Sequence, residues 1–263
     1  MVHTKSRIAR IIRAILFSIA LLNLGSSYTK AQTPTPTSSE DRERGIQLYQ
    51  QGDASGAIEA LRKVVKENKD DAKAWHYLGL AYLLKQDKDE ARKAFGKAAT
   101  IRVKDLAAAL SPSDNHGMPP AKSKNADRYQ AAVESVEKYL EVTSNPSEDL
   151  ITELETLRWY RDFYQGSRHD EEIRSGRDVT TKLRILSKPE PQFSGTRASG
   201  IAILHAVFSA DGGIKHILVL HKVDPAFDRA CIEAAKKIQF TPAIKDGRSV
   251  SMILQLEYRR EFF

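Results

Sequence analysis

The sequence has 263 residues, of which 41% are hydrophobic and 29% charged, which suits two ordinary globular domains and excludes a disordered or low-complexity chain. The formal net charge is +7, yet Lys5, Arg7, Arg10, Arg13 and Lys30 all fall within the first 31 residues, where no acidic residue occurs. The remainder is close to neutral, so the basic balance does not mark a nucleic-acid-binding surface.

Residues 1–31 read as a signal peptide or an N-terminal anchor. A basic stretch precedes an apolar run at residues 14–24, and Thr29-Lys30-Ala31 puts small residues at both positions a signal peptidase reads. The run is about half of the ~20 residues a helix needs to cross a bilayer. Arg10 and Arg13 prevent extending it backwards, which favours cleavage. No cysteine follows the run, so a lipoprotein is not expected. The lone cysteine, Cys231, has no internal disulfide partner and falls on the apolar stripe of a predicted helix, where it reads as a small buried hydrophobe.

Residues 32–39 (QTPTPTSS) form a disordered Pro/Thr/Ser spacer, and residues 40–165 are helical and repetitive. Gly45, Ala57 and Leu61 recur 34 residues later as Gly79, Ala91 and Phe95. The second copy reads Trp75, Leu78, Gly79, Tyr82, Ala91, Phe95 and Ala98, and in period and pattern it resembles the tetratricopeptide repeat. The physical logic is independent of the name. Gly79 and Ala91 let two helices of a hairpin approach, and the larger residues supply the surface that neighbouring hairpins bury. Val103 stands where the family usually has proline, which leaves the exit turn open. A third, degenerate unit begins a helix at residues 106–110, loops through 111–125, resumes over 126–143 and closes with a helix from a Ser147 cap to about residue 165. Residues 166–179, charged and glycine-bounded, read as a short interdomain linker.

Residues 180–263 switch to strand-like periodicity. Residues 201–209 (IAILHAVFS) and 214–221 (IKHILVLH) flank Asp211-Gly212-Gly213, a strong hairpin signal. Asp224-Pro225 opens a helix whose stripe is Phe227, Cys231, Ala234, Ala235 and Ile238, and residues 249–258 alternate as a closing strand. Gly200, Asp211-Gly212, Phe227-Asp228, Ala234, Phe240-Thr241-Pro242-Ala243, Asp246-Gly247 and Phe262 together resemble the C-terminal domain of TonB-like energy transducers over residues 189–262. Two departures are visible. The family's Tyr-Pro appears as Gln192-Phe193 with Pro189 and Pro191 nearby, and helical repeats replace the long Pro-rich spacer.

The expected fold class is therefore α+β in two domains: tetratricopeptide-like helical hairpins, then a small TonB-like unit of β-hairpin, helix and edge strand. The resemblance implies that the last strand captures short segments of outer-membrane transporters by strand addition, through Val250, Ser251, Ile253, Gln255, Glu257 and Arg259. Two alternatives stand beside it: the edge pairs with itself in a dimer, or residues 180–190 cover it. In the repeats, His76 sits where a tetratricopeptide groove faces its ligand, with Tyr49 and Leu80 on the same surface, and a second envelope protein is the partner expected there.

There is no phosphate loop, metal-spaced Cys/His cluster or nucleophile elbow, so no catalytic residue, metal or cofactor is expected and the chain does not read as an enzyme. His205, His216 and His221 read as satisfied or solvated side chains on strands. The function implied is a periplasmic adaptor or energy transducer of a Gram-negative-type cell, inner-membrane-anchored if the N-terminal segment is retained. The alternative is a soluble periplasmic scaffold or assembly factor with no part in force transduction.

Overall fold

The computed structural model describes residues 38–109, 122–167, 172–193 and 199–260. The segment predicted to direct export, most of the predicted spacer, most of the loop predicted after residue 110, part of the predicted 166–179 linker and Phe262 lie outside the described residues. Among the described residues no helix is long and apolar enough to cross a membrane.

Among the described residues six helices come first: α1 (Ser38–Gln50), α2 (Ala54–Glu67), α3 (Ala72–Leu84), α4 (Lys88–Ala109), α5 (Lys122–Glu141) and α6 (Glu148–Gln165). Side-chain caps start four of them, with Asp53 accepting from the Gly56 N–H at 2.9 Å, Asp71 from Ala74 at 2.9 Å, Asp87 from Glu90 at 3.1 Å and Ser147 from Leu150 at 3.3 Å. The 34-residue period has a steric cause. A methyl group on Gly45 would meet the Leu61 side chain at 2.6 Å, and one on Gly79 would meet the Phe95 ring at 2.6 Å. Each hairpin closes by laying a large residue of its second helix over a bare stretch of its first. The structure departs from expectation at α4, which runs straight through Val103 to Ala109 instead of ending and restarting near residue 106. Proline would have stopped the helix; valine keeps its N–H and lets it continue. Val103 and Leu106 are then buried beneath the third hairpin, α5–α6.

The C-terminal region contains a three-stranded antiparallel sheet of β2 (Gly200–Phe208), β3 (Ile214–His221) and β7 (Met252–Arg260), in the order β3-β2-β7. Helix α7 (Pro225–Lys236) follows β3, capped by Asp224, whose carboxylate accepts from Ala226 and Phe227 N–H groups at 3.0 and 3.2 Å. Two small ribbons complete the region: β1 (Arg184–Ser187) with β4 (Gln239–Thr241), and β5 (Ala243–Lys245) with β6 (Arg248–Val250). Asp246 and Gly247 join β5 to β6 with φ of +50° and +75°, the backbone a tight two-residue hairpin needs. The closing strand expected over residues 249–258 is thus two strands. Val250 pairs with Ala243 in the β5–β6 ribbon, Ser251 marks the break, and β7 begins at Met252.

Both faces of the sheet are covered. Ala202, Leu204, Ala206, Phe208, Leu256 and Tyr258 pack with Phe227, Cys231 and Ala235 of α7. Val207, Leu218, Leu220 and Ile253, on the other face, join Tyr129, Leu157, Trp159 and Tyr160 of the helical array in one core. The Trp159 and His216 rings stack with centroids 4.0 Å apart, and Tyr160 donates from its hydroxyl to the His216 carbonyl at 2.9 Å. Ion pairs reach across the same seam, Lys222 to Glu153 at 2.7 Å and Arg229 to Asp149 at 3.0 Å. The described part of the predicted linker is not a free tether: Ile173 packs on this shared core and bridges to Ser251, and the Arg174 N–H donates to the Ser251 carbonyl.

Candidate functional site

With both faces of the sheet occupied, a partner can extend it only at an edge. The outer edge of β3 is poorly suited. Its register with β2 slips at two places, and His216 has φ +47° with its carbonyl taken by Tyr160. The other edge is β7, which pairs with β2 without a slip from Gly200 opposite Arg260 to Phe208 opposite Met252.

Along an antiparallel strand, successive residues turn their N–H and C=O groups to opposite sides. Ser251 fixes the phase. Its N–H donates to the Glu172 carbonyl at 3.1 Å and its carbonyl accepts from the Arg174 N–H at 2.9 Å, both on the side away from β2. The alternation then points the main-chain groups of Ile253, Gln255 and Glu257 outward. Among the described residues no backbone hydrogen bond from another element meets them. A lysine closes the far end: Lys188 Nζ donates to the Glu257 carbonyl at 2.6 Å and lies 4.4 Å from the centre of the Tyr258 ring. The open stretch is bracketed between the 172–174 clamp and Lys188. Residues 184–187, part of the segment weighed as a cover for this edge, pair instead with β4.

The six edge residues expected from the sequence divide by role. Val250 is buried in the β5–β6 ribbon. Ser251 is fully buried, and its hydroxyl accepts from the Ala210 N–H at 2.8 Å, tying down the β2–β3 turn. Ile253 is buried against the helical array. None of these three presents a side chain to a partner, which corrects the expectation of an accessible side-chain face. Ile253 still offers its backbone. Gln255 is half-buried, while Glu257 and Arg259 are exposed, and the Gln255 amide donates to the Glu257 carboxylate at 3.1 Å.

His205 lies directly across the ladder from Gln255 and is fully buried. Neither of its ring nitrogens has a hydrogen-bond partner among the described residues, so the expectation of satisfied strand histidines fails here. Burial pulls its pKa down to about 4, and the Gln255 side chain opposes that shift without bonding to either nitrogen. His221 does find a partner, the Ile201 carbonyl at 2.8 Å.

In the repeats, His76 is buried rather than groove-facing, with Nδ1 3.2 Å from the Ser135 hydroxyl of α5. The third hairpin covers it, and burial, aided by the nearby Arg102 and Lys138 cations, lowers its pKa to about 4. Tyr49 and Leu80 are half-buried, and Tyr49 meets Tyr77 edge-on at 5.7 Å. Sequence reasoning missed Lys188; an isolated lysine before a proline carries no local signal of the strand it will cap. Among the described residues no group of three or more His, Cys, Asp or Glu side chains is placed to hold a metal ion.

A family model for the tetratricopeptide repeat matches residues 42–110, and the model for the Gram-negative bacterial TonB protein C-terminal domain matches residues 195–259. No curated protein sequence matches the chain. The two matches agree with the α+β layout of helical array and small strand-rich unit, and both domains point to protein–protein interaction.

Proposed function

We propose that this chain, in which a tetratricopeptide array is joined to a TonB-type C-terminal domain, is a non-catalytic envelope adaptor that captures an extended segment of an outer-membrane transporter along β7. The observation that carries this reading is the outward set of main-chain groups at Ile253, Gln255 and Glu257 on a sheet whose two faces are already filled. An added strand would satisfy those groups through backbone pairing, and the exposed Glu257 and Arg259 side chains would bias which sequences fit. Lys188 must leave the Glu257 carbonyl for the pairing to extend, so the free edge is guarded and not merely vacant. The helical array is then the docking surface for a second envelope protein.

The test is capture of transporters from outer-membrane extracts by the protein and two variants. Gln255→Pro removes an outward N–H at an edge position where the β2 ladder is untouched, and should abolish capture with little loss of fold by circular dichroism. Lys188→Ala should increase capture severalfold. Equal capture by all three proteins would remove strand addition at β7.

The soluble scaffold is the second reading, favoured by the short, arginine-flanked apolar run at residues 14–24. Sequencing the mature N-terminus separates the two. Gln32 in the soluble fraction supports the scaffold, and Met1 in the inner membrane supports force transduction.

A further inference from the structure

A cleft of about 580 Å³ opens where α4, α5 and α6 meet the end of β3. Val103, Val136, Leu150 and Leu220 form an apolar floor that continues into the core shared by array and sheet. The rim is cationic: Arg92, Lys93, Lys97, Lys104 and Lys222 line it, against Glu153 as the one carboxylate. Local acids account for part of this charge, since Arg92 pairs with Asp89 at 3.4 Å, Lys93 with Glu90 at 2.5 Å and Lys222 with Glu153 at 2.7 Å. Lys97 and Lys104, about one and three turns beyond Lys93 along α4, are exposed and have no ion pair among the described residues.

We infer that this cleft docks a short acidic segment of a partner protein, with carboxylates on the rim lysines and an apolar side chain on the floor. Charge alone would draw any polyanion, but the apolar floor of Val103, Leu150 and Leu220 matches an aliphatic side chain better than the polar edges and phosphates of a nucleic acid. Glu153 and Lys222 span the mouth as a ready-made exchange pair, because an incoming carboxylate can take over the lysine. The inference rests on the second half of the proposed function and names the chemistry of that partner. It also has a geometric consequence. Leu220 and Lys222 lie on the β3 side of the sheet, whereas the open edge is β7, so two partners can be held on opposite sides of one compact unit.

The experiment selects short random peptides displayed on phage against the intact protein, with counter-selection on the double variant Lys97→Glu/Lys104→Glu. Both side chains are exposed, so the variant should keep the parent melting temperature and its Lys188-sensitive capture at β7. The expected result is an enriched set that combines acidic with aliphatic residues and binds the double variant about tenfold or more weakly. Enriched peptides without an acidic excess, or none that distinguish the two proteins, would overturn the inference. So would charge-dependent binding to phosphatidylglycerol vesicles with no peptide binding, which would assign the cleft to a lipid surface. Loss at the cleft with β7 capture intact, or the reverse, tells failure of one reading from failure of the other.

Discussion

Trp159 of α6 lies flat on His216 of β3, with ring centroids 4.0 Å apart and planes 12° from parallel. That stack, with the adjacent Tyr160 hydrogen bond, turns a helical array and a small sheet into one body. Replacing Trp159 with alanine removes a nearly buried indole from the seam and should cost about 3–5 kcal/mol. Urea unfolding followed by tryptophan-independent circular dichroism reads this directly. A loss below about 1 kcal/mol would show that the seam is held elsewhere.

The repeat glycines predict a second pattern. Gly79→Ala drives a methyl into the Phe95 ring at 2.6 Å and should destabilise by about 1–3 kcal/mol. Gly45→Ala should behave alike against Leu61, softened by the freedom of an outer hairpin. Gly96 is the control, since its added methyl would meet Tyr139 at 3.3 Å in a helix that gains propensity from alanine. Thermal melts should rank Gly79→Ala well below Gly96→Ala. Equal melting temperatures would contradict the close-approach account.

These glycines were legible in the sequence because the cause is local: a fixed spacing within one hairpin repeats itself. The Asp224 cap and the Asp246-Gly247 turn were legible for the same reason. The seam was not. Val207, Leu218, Leu220 and Ile253 alternate as any strand residues do, and nothing in the period says that a helix from another domain will cover them. The same long-range packing buried His76, because the degenerate third hairpin hides its contact surface from a repeat pattern. The split at Ser251 was invisible because the apolar alternation runs through it unbroken.

Buried neutral histidines make stability pH-dependent. Burial holds His76 and His205 down to about 4, whereas in the unfolded chain each titrates near 6.5. Between those values the unfolded chain binds protons that the folded one refuses, so stability falls as pH drops from about 6.5 toward 4. At pH 5 each histidine should account for about 2 kcal/mol of loss relative to pH 7.5. Urea midpoints at the two pH values test this, and His205→Leu should remove about half of the difference. An unchanged midpoint would mean that both rings accept protons in place.

Cys231 is buried in the α7 stripe, which pushes its thiol pKa up to about 12. The native protein should therefore resist a disulfide-exchange reagent at pH 8 and react fully in urea. Rapid labelling of the folded chain would place that helix face in solvent.

Backbone amide exchange at β7, with and without a transporter captured from outer-membrane extract, tests the strand-addition account most directly. The Ile253, Gln255 and Glu257 amides should exchange fast in the free protein and become strongly protected in the complex, while the even-numbered β7 amides, paired with β2, stay slow in both. Protection already present in the free protein, or a captured partner that leaves those three amides exchanging freely, would contradict it.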